Sequence, residues 1–349
     1  MQVALYILGM GLGVLLLAKS ADWFTDAAVS IACRLNVPEI LIGATLVSLA
    51  TTLPEFAVSV AAALKQQTDV AVGNAVGSTI ANIGLVLGLC IVLSPMGVAR
   101  RGFLRSSLGL VFVCLIFACI GYLFPEGSRW TGVVMLLCLA AYLAANIRSA
   151  MPDPKPGTSR IPTAGESSRD ALLGELASET SVDGAQRVEL ATGLTAGRVA
   201  AYFLLGAVGV IAGSKLVVYC AEHLALAAGI SRHVIALTLV ALGTSTPELV
   251  ISLAAIIKKQ RGLSIGNIIG ANILNLVWVL GASSLITVIP LDAQSLYFDI
   301  PVMLFLTGLL FVFGFTGERL SRWEGFVLLS VYAAYLVVLF TVYRVPAVA

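Results

Sequence analysis

The sequence predicts an all-α polytopic membrane protein whose ten transmembrane helices form two inverted repeats of five helices. The first observation is composition: 59% of the 349 residues are hydrophobic and only 11% are charged. A soluble chain carries about 25% charged residues. This chain has too few charged residues to cover its apolar segments with a polar surface in water. The second observation is that two similar segments, residues 43–88 and 236–281, lie in separate groups of five apolar runs.

Each apolar run is long enough to cross a bilayer, which takes roughly 20 predominantly apolar residues. The predicted helices of the first group lie near 3–33, 38–64, 70–94, 103–124 and 129–149, and those of the second near 198–229, 233–258, 263–289, 297–315 and 323–343. The polar segment between them has too few apolar residues to build a core. We therefore divide the chain into a first five-helix repeat (1–150), a cytoplasmic linker (151–196) and a second five-helix repeat (197–349).

The repeat is visible when the sequence is shifted by 193 residues. Residues 43–88 then align with 236–281 without a gap, and 20 of the 46 aligned positions are identical. The identities include polar residues and prolines inside membrane spans, which general hydrophobic similarity would not produce. Because each copy has an odd number of helices, the second copy enters the membrane in the opposite sense. Inverted repeats of this kind place substrates near the bilayer midplane, at broken helices of the two halves.

The distribution of Lys and Arg predicts the orientation. With the N-terminus outside, fifteen of these residues fall in inside loops and four in outside segments, so the positive-inside rule places both termini outside the cell membrane and the linker in the cytoplasm. Lys19 and Lys215 lie within helices. Asp22, Asp26 and Glu222 lie towards one end of long spans, which favours an interfacial or gating role.

Two matching motifs carry the predicted chemistry: Thr51-Thr-Leu-Pro-Glu55 and Thr244-Ser-Thr-Pro-Glu248, each halfway along an apolar span. A proline within a helix removes an amide donor and leaves carbonyl groups of the preceding turn without their usual partner. An acidic residue at the centre of a membrane helix costs roughly 2.5–3.5 kcal/mol on insertion scales. Two such residues, each beside a proline, therefore predict a binding site rather than a structural role.

The next span of each copy adds neutral oxygen atoms. Asn82 follows Ser78 by four residues and so shares its helix face, and Asn275 stands at the matching position of the second copy. A lone Ser, Thr or Asn in a membrane helix more often serves helix packing. Beside two carboxylates, however, these residues complete an all-oxygen site, which suits a hard cation such as Ca2+ or Na+.

These linked motifs resemble the two α-repeats of the Ca2+/cation antiporter superfamily, and within it the prokaryotic Na+/Ca2+ exchangers. The resemblance implies exchange of Ca2+ for Na+ by alternating access, with Glu55 and Glu248 as the central Ca2+ ligands, shared with Na+. The other ligands that it implies are Thr51, Thr244, Thr52, Ser245, Ser78, Asn82, Asn275 and the backbone carbonyls of Ser48 and Ala241.

The sequence departs from the family pattern at two places. Ala271 stands where the first copy has Ser78, so one Na+ site loses a side-chain oxygen. Asn275 occupies a position that is Asp in some relatives, which leaves two carboxylates rather than three. Both departures reduce the strength of the ligand set and leave the ion stoichiometry open.

Other functions are weighed against exchange of Ca2+ for Na+. A Ca2+/H+ exchanger uses the same fold, with carboxylate protonation in place of Na+. A cation channel could also use a glutamate pair, although its filter is more often assembled by several subunits around an axis. The sequence contains no HExxH motif that would point to an enzyme. A net charge of +2 does not suggest nucleic acid as a partner. The expected partners are the two ions and the lipid bilayer, with no cofactor beyond the transported ions and with the monomer as the functional unit.

Overall fold

The fold is almost entirely helical in the computed structural model of the protein, which describes residues 2–35, 37–97, 100–150, 195–227, 241–317 and 319–342. The helices of the first half are α1 Gln2–Leu35, α2 Glu39–Thr51, α3 Leu53–Leu64, α4 Thr68–Leu93, α5 Arg100–Leu123 and α6 Arg129–Ala150. Those of the second half are α7 Ala196–Ala227, α8 Ala241–Thr244, α9 Thr246–Ile257, α10 Arg261–Ile286, α11 Ser295–Thr316 and α12 Arg322–Val342. Two short strands, β1 Met96–Gly97 and β2 Arg319–Leu320, pair in an antiparallel sense.

Eight of the described helices are long and apolar enough to cross a membrane, and the bent pair α2–α3 makes a ninth candidate span. The predicted multi-pass helical membrane protein is therefore confirmed. The predicted span at 233–258 lies partly outside the described residues, and its described part includes the shorter apolar helix α9. The linker 151–196 lies almost wholly outside them.

Both Pro-Glu motifs interrupt a helix, as the sequence predicts. The axes of α2 and α3 are bent by 46° at a break occupied by Thr52, whose φ is −80° and ψ −2°. Ser245 separates α8 from α9 with nearly the same backbone angles, φ −85° and ψ 5°. Pro54 and Pro247 then stand in the first turn of the following helix, where a missing amide hydrogen leaves no intrahelical bond unmade.

The helices α4 and α10 lie in the interior, and α2 approaches α10 backbone to backbone. Gly43 makes this possible, because a Cβ atom there would lie 2.5 Å from the Leu263 carbonyl oxygen. From the other side, a Cβ atom on Gly266 would collide with the Ile40 carbonyl oxygen. The broken helix of the first half is thus held directly against an inner helix of the second.

The two longest helices, α1 and α7, pack along each other in an antiparallel sense at the side of this core. Their contact is close at two glycines, Gly13 against Val217 and Gly206 against Phe24. α1 also packs against α9, which carries the second Pro-Glu motif. The pair therefore contacts the core at the helix that bears Glu248 and also at α2.

Two loop contacts join the halves away from the middle of the chain. Strand β1 pairs with β2, with Met96 opposite Leu320. In the loop that follows α10, the Leu291 amide donates to the Pro125 carbonyl oxygen at 2.8 Å. Each contact links the loop after an inner helix to the segment before the last helix of the other half.

Candidate functional site

Two buried carboxyl groups form the centre of the candidate site. Glu55 lies in the first turn of α3 and is 0% exposed, and Glu248 lies in the first turn of α9 and is 1% exposed. The two side chains are close enough for their charges to repel each other. The fold thus brings together two acidic residues that the sequence places 193 positions apart.

Several predicted ligand residues carry buried polar atoms that have no hydrogen-bond partner. Within the part of the chain that the structure describes, the unpartnered site atoms include both Glu55 carboxylate oxygens, Glu248 Oε2, the hydroxyls of Thr52 and Ser245, both amide atoms of Asn82 and Asn275 Oδ1. Buried polar groups in proteins are nearly always paired, because leaving one unpaired costs about 1–3 kcal/mol. The unpaired oxygens of these residues are therefore suited to a bound cation.

Threonine and serine hydroxyls connect the two halves at the site. The Thr51 hydroxyl lies 3.2 Å from both the Ser48 carbonyl oxygen and Asn267 Oδ1, so it can donate to either, and it also reaches the Glu248 carboxylate. Ser78 Oγ lies 3.5 Å from Thr244 Oγ1. These contacts join residues of the first half directly to residues of the second.

The two predicted carbonyl ligands, Ser48 and Ala241, lie on the helices that precede the two breaks. Ser48 is fully buried, and its carbonyl oxygen accepts the Thr52 amide at 2.9 Å. Its hydroxyl fits because position 270 is Gly, where a Cβ atom would lie 2.5 Å from Ser48 Oγ. Ala241 begins the described part of α8, and its side chain lies outside what is described.

Asn82 and Asn275 each begin a π-helical turn, at Asn82–Leu87 and Asn275–Leu280. Both asparagines are buried, at 0% and 1% exposed. Such turns are rare and frequently lie at functional sites, where the widened helix redirects side chains and backbone groups. The sequence shows these asparagines as a matched pair, but no pattern in it predicts the change of helix type.

Two further asparagines hold the broken helices in place. Asn74 on α4 donates to the Glu55 carbonyl oxygen at 3.1 Å and to Ser59 Oγ at 2.9 Å. Asn267 on α10 donates to Ser252 Oγ at 3.3 Å. The sequence shows that these polar residues coincide between the two copies, yet it assigns them no role; the structure makes them anchors for the helices that carry the glutamates.

The chemistry of the donor set points to a hard cation. It consists of carboxylate, hydroxyl and amide oxygens, the ligands that Ca2+ and Na+ prefer. The described residues contain no group of three or more His, Cys, Asp or Glu side chains that could hold a metal ion by themselves. Neutral oxygens must therefore complete the coordination of any ion bound between the two glutamates.

A multi-pass helical fold in which two broken helices meet at a buried, all-oxygen site defines the class of membrane ion transporters. The family model described as sodium/calcium exchanger protein matches residues 5–148 and 198–341. The chain belongs to this family of antiporters.

Relatives and solved structures agree with this assignment. The chain is 33% identical to the sodium/calcium exchanger MaX1 of Methanosarcina acetivorans, over 94% of this chain and 97% of that one. It is 37% identical to the inner membrane protein YrbG of Escherichia coli, over 84% and 83% of the two chains. It also resembles a structure of the sodium-calcium exchanger NCX_Mj soaked with zero Na+ and Ca2+, with a TM-score of 0.77 and 30% identity over 97% of this chain and 99% of that one.

Proposed function

We propose that this antiporter exchanges Ca2+ for Na+ at a site centred on Glu55 and Glu248. The single observation that supports this site most strongly is that both glutamates and several of the other predicted ligands carry buried oxygen atoms without a hydrogen-bond partner. Two ionised glutamates supply about two negative charges, which balance one Ca2+ or a small group of Na+ ions. Membership of the sodium/calcium exchanger family supports the choice of these two ions.

The remaining ligands complete the coordination with neutral oxygen. Ca2+ takes 6–8 oxygen ligands, more than two carboxylates can provide. The proposed side-chain ligands are Thr51, Thr52, Ser78, Asn82, Thr244, Ser245 and Asn275, and the proposed carbonyl ligands are Ser48 and Ala241. Because Ala271 has no hydroxyl, the Na+ position on that side has weaker ligands than its counterpart at Ser78.

The proposed architecture is ten helices in two inverted repeats, 1–150 and 197–349, joined by the linker 151–196. The matched helix breaks at Thr52 and Ser245, the matched π-helical turns and the two loop contacts between the halves support this arrangement. The excess of Lys and Arg in predicted inside loops supports a cytoplasmic linker and termini outside the cell. The site is complete within one chain, which supports a functional monomer.

In the proposed mechanism, ion binding controls the conformational change. A bound Ca2+ or group of Na+ ions neutralises the glutamates and allows α1 and α7 to slide across the core. An empty site keeps two unpaired charges in a medium of low dielectric constant, and this cost discourages an unloaded crossing. Transport therefore proceeds as exchange rather than leak, with no resident cofactor beyond the transported ions.

Exchange of Ca2+ for protons is the main alternative, since a pair of buried carboxylates could take up protons instead of Na+. The relatives reported above do not favour it, because the family model and the named exchanger are of the sodium/calcium type. The hydroxyl groups beside both glutamates also have more to contribute to Na+ coordination than to proton binding.

Ca2+ uptake into proteoliposomes tests the proposed function. Vesicles loaded with Na+ should take up radioactive Ca2+ only when Na+ is absent outside, and Glu248→Gln should abolish the uptake because it halves the charge of the site. Asp69→Asn is a matched control, since it removes an exposed carboxylate at the start of α4 and should leave uptake unchanged. Uptake that follows only a proton gradient would instead support Ca2+/H+ exchange, and flux that ignores both gradients would contradict antiport.

A further inference from the structure

An ion-pair cluster outside the proposed ion site joins α1 to the end of α9. The Lys258 ammonium lies 3.1 Å from Asp22 Oδ1, 2.8 Å from Asp26 Oδ1 and 2.8 Å from the Asp22 carbonyl oxygen. The ammonium donates hydrogen bonds to Asp26 Oδ1 and to the Asp22 carbonyl oxygen, and its contact with Asp22 Oδ1 is an ion pair. The Lys258 side chain is only 11% exposed, whereas the two Asp side chains are about half exposed. We call these three residues the Lys258 clamp.

The clamp connects the two parts that the proposed mechanism requires to move relative to each other. Asp22 and Asp26 are one helical turn apart and face the same side of α1, which belongs to the peripheral pair α1–α7. Lys258 directly follows α9, the helix that carries Glu248. Sliding of α1 past α9 must therefore break all three interactions of the ammonium group.

The positions that match the clamp in the other half cannot form one. The same shift of 193 residues relates Lys258 to Lys65, Asp22 to Lys215 and Asp26 to Tyr219. A clamp between two lysines is impossible because like charges repel, and a tyrosine offers no negative charge. The charge pattern is attractive at one end of the molecule and repulsive at the matching end.

The shift of 193 residues is justified for α1 and α7 by their packing. Gly13 contacts Val217, and Gly206 contacts Phe24. Gly13 and Gly206 are 193 positions apart, and so are Phe24 and Val217. The two helices therefore follow the same repeat as the site motifs, although their sequences resemble each other much less.

Helix packing shows the same difference between the Lys258 end and the Lys65 end as the charge pattern does. α1 packs against α9 at the Lys258 end, whereas α7 makes no comparable contact with α3 within the part of the chain that is described. Lys65 and Lys215 are both exposed. In the described residues, the peripheral pair is thus closed against the core where the clamp forms, and no comparable contact is made at the end where the matching lysines stand.

We propose that Lys258, Asp22 and Asp26 are positioning residues that form a one-sided lock and set the preferred orientation of the transporter. A contact made in only one of two conformations shifts the equilibrium towards that conformation by its own free energy. The lock favours the state closed at the Lys258 end, which is outward-facing in the proposed topology. This inference rests on the proposed alternating-access function.

Distance measurements between spin labels test the lock in the full-length protein, with the six native cysteines replaced. One label pair, Leu35→Cys and Ile257→Cys, reports on the Lys258 end, and a second, Leu64→Cys and His223→Cys, reports on the Lys65 end. Lys258→Met should lengthen the first distance in part of the molecules and shorten the second. The ratio of the two populations should change roughly fivefold, as expected for one partly exposed charge cluster.

Matched variants separate the lock from a general loss of structure. Lys65→Arg keeps the positive charge of the corresponding exposed lysine and should leave both distances unchanged. Asp22→Asn combined with Asp26→Asn should reproduce the effect of Lys258→Met. Lys215→Asp combined with Tyr219→Asp keeps the clamp and adds an acid pair opposite Lys65, so it should close the Lys65 end in part of the molecules.

Unchanged distances in the Lys258→Met protein and in both double variants would overturn the lock. Ionic strength gives an independent check, because salt screens half-exposed charges. Raising choline chloride should shift the wild-type populations in the same direction as Lys258→Met and should have little effect on that variant. These distance measurements need no ion transport. They can therefore contradict the lock without bearing on the proposed exchange, which the uptake assay tests separately.

Discussion

Ser78 and Ala271 occupy matching positions of the two copies and differ by one hydroxyl group. Ala271 is completely buried on α10, so its methyl group faces protein rather than lipid or water. In the first copy, Ser78 Oγ lies 3.5 Å from Thr244 Oγ1 and belongs to the proposed ligand set. The loss of this single oxygen makes the two sides of an otherwise matched site unequal.

We therefore expect Ala271→Ser to strengthen Na+ binding. One added neutral ligand contributes about 1 kcal/mol, which corresponds to a roughly fivefold lower Na+ concentration for half-maximal release of bound Ca2+. The measurement is the Na+ dependence of Ca2+ release from loaded proteoliposomes. The control is Ala255→Ser, because Ala255 is also fully buried but lies on α9 and outside the proposed ligand set. This change should leave the Na+ dependence unaltered. A weaker or unchanged Na+ response in Ala271→Ser would argue against a Na+ position at this side chain.

The charge of Glu55 should be visible in protein stability as well as in transport. Ca2+ at 100 times its dissociation constant stabilises a binding protein by about 2.7 kcal/mol, so wild-type protein should melt at a higher temperature when Ca2+ is added. We expect Glu55→Gln to remove this Ca2+-dependent increase without lowering the melting temperature of the ion-free protein, because it relieves repulsion with Glu248. Thermal melts in detergent with and without Ca2+ check both parts. A Ca2+ effect of full size in the variant would exclude Glu55 as a ligand.

At the scale of elements, the broken helices are the part of the site that local sequence predicts best. Pro54 and Pro247 interrupt their spans for a reason that acts within one turn, the missing amide hydrogen. The π-helical turns at Asn82–Leu87 and Asn275–Leu280 have no such local signal. The first of these turns packs closely against α12, because a Cβ atom on Gly84 would lie 2.7 Å from Tyr332 Cβ.

The close approach of α2 and α10 leads to a prediction about glycine. Gly266→Ala would place a methyl group against the Ile40 carbonyl oxygen and should force the two helices apart. Overpacking of this kind typically costs 1–3 kcal/mol, so the melting temperature should fall and Ca2+ uptake should weaken. Gly308→Ala on α11 is the control, because nothing lies within 4 Å of the added atom. Equal melting temperatures for the two variants would show that α2 and α10 tolerate a wider spacing.

At the scale of the whole molecule, the proposed orientation depends on charge in the loops rather than on any contact in the fold. A single cysteine in the linker, Ser167→Cys, should react with a membrane-impermeant thiol reagent only from the cytoplasmic side. Ser128→Cys, in the loop between α5 and α6, should react only from outside the cell. Labelling in spheroplasts and in inverted vesicles, with native cysteines replaced, distinguishes the sides. The opposite pattern would reverse the topology and, with it, the side on which the Lys258 clamp lies.

The sequence by itself determined that this chain is a helical membrane protein with two matched acidic helix breaks. Its motifs also resembled those of one transporter superfamily. These properties are local: apolar length sets a span, proline interrupts a helix within one turn, and a repeat is visible without knowing what its copies contact. Only the tertiary structure decided which oxygens stay unpaired, which asparagines anchor the broken helices and how Lys258 meets Asp22 and Asp26. These contacts join residues far apart in the sequence, and their existence depends on how the helices pack rather than on any neighbouring residue.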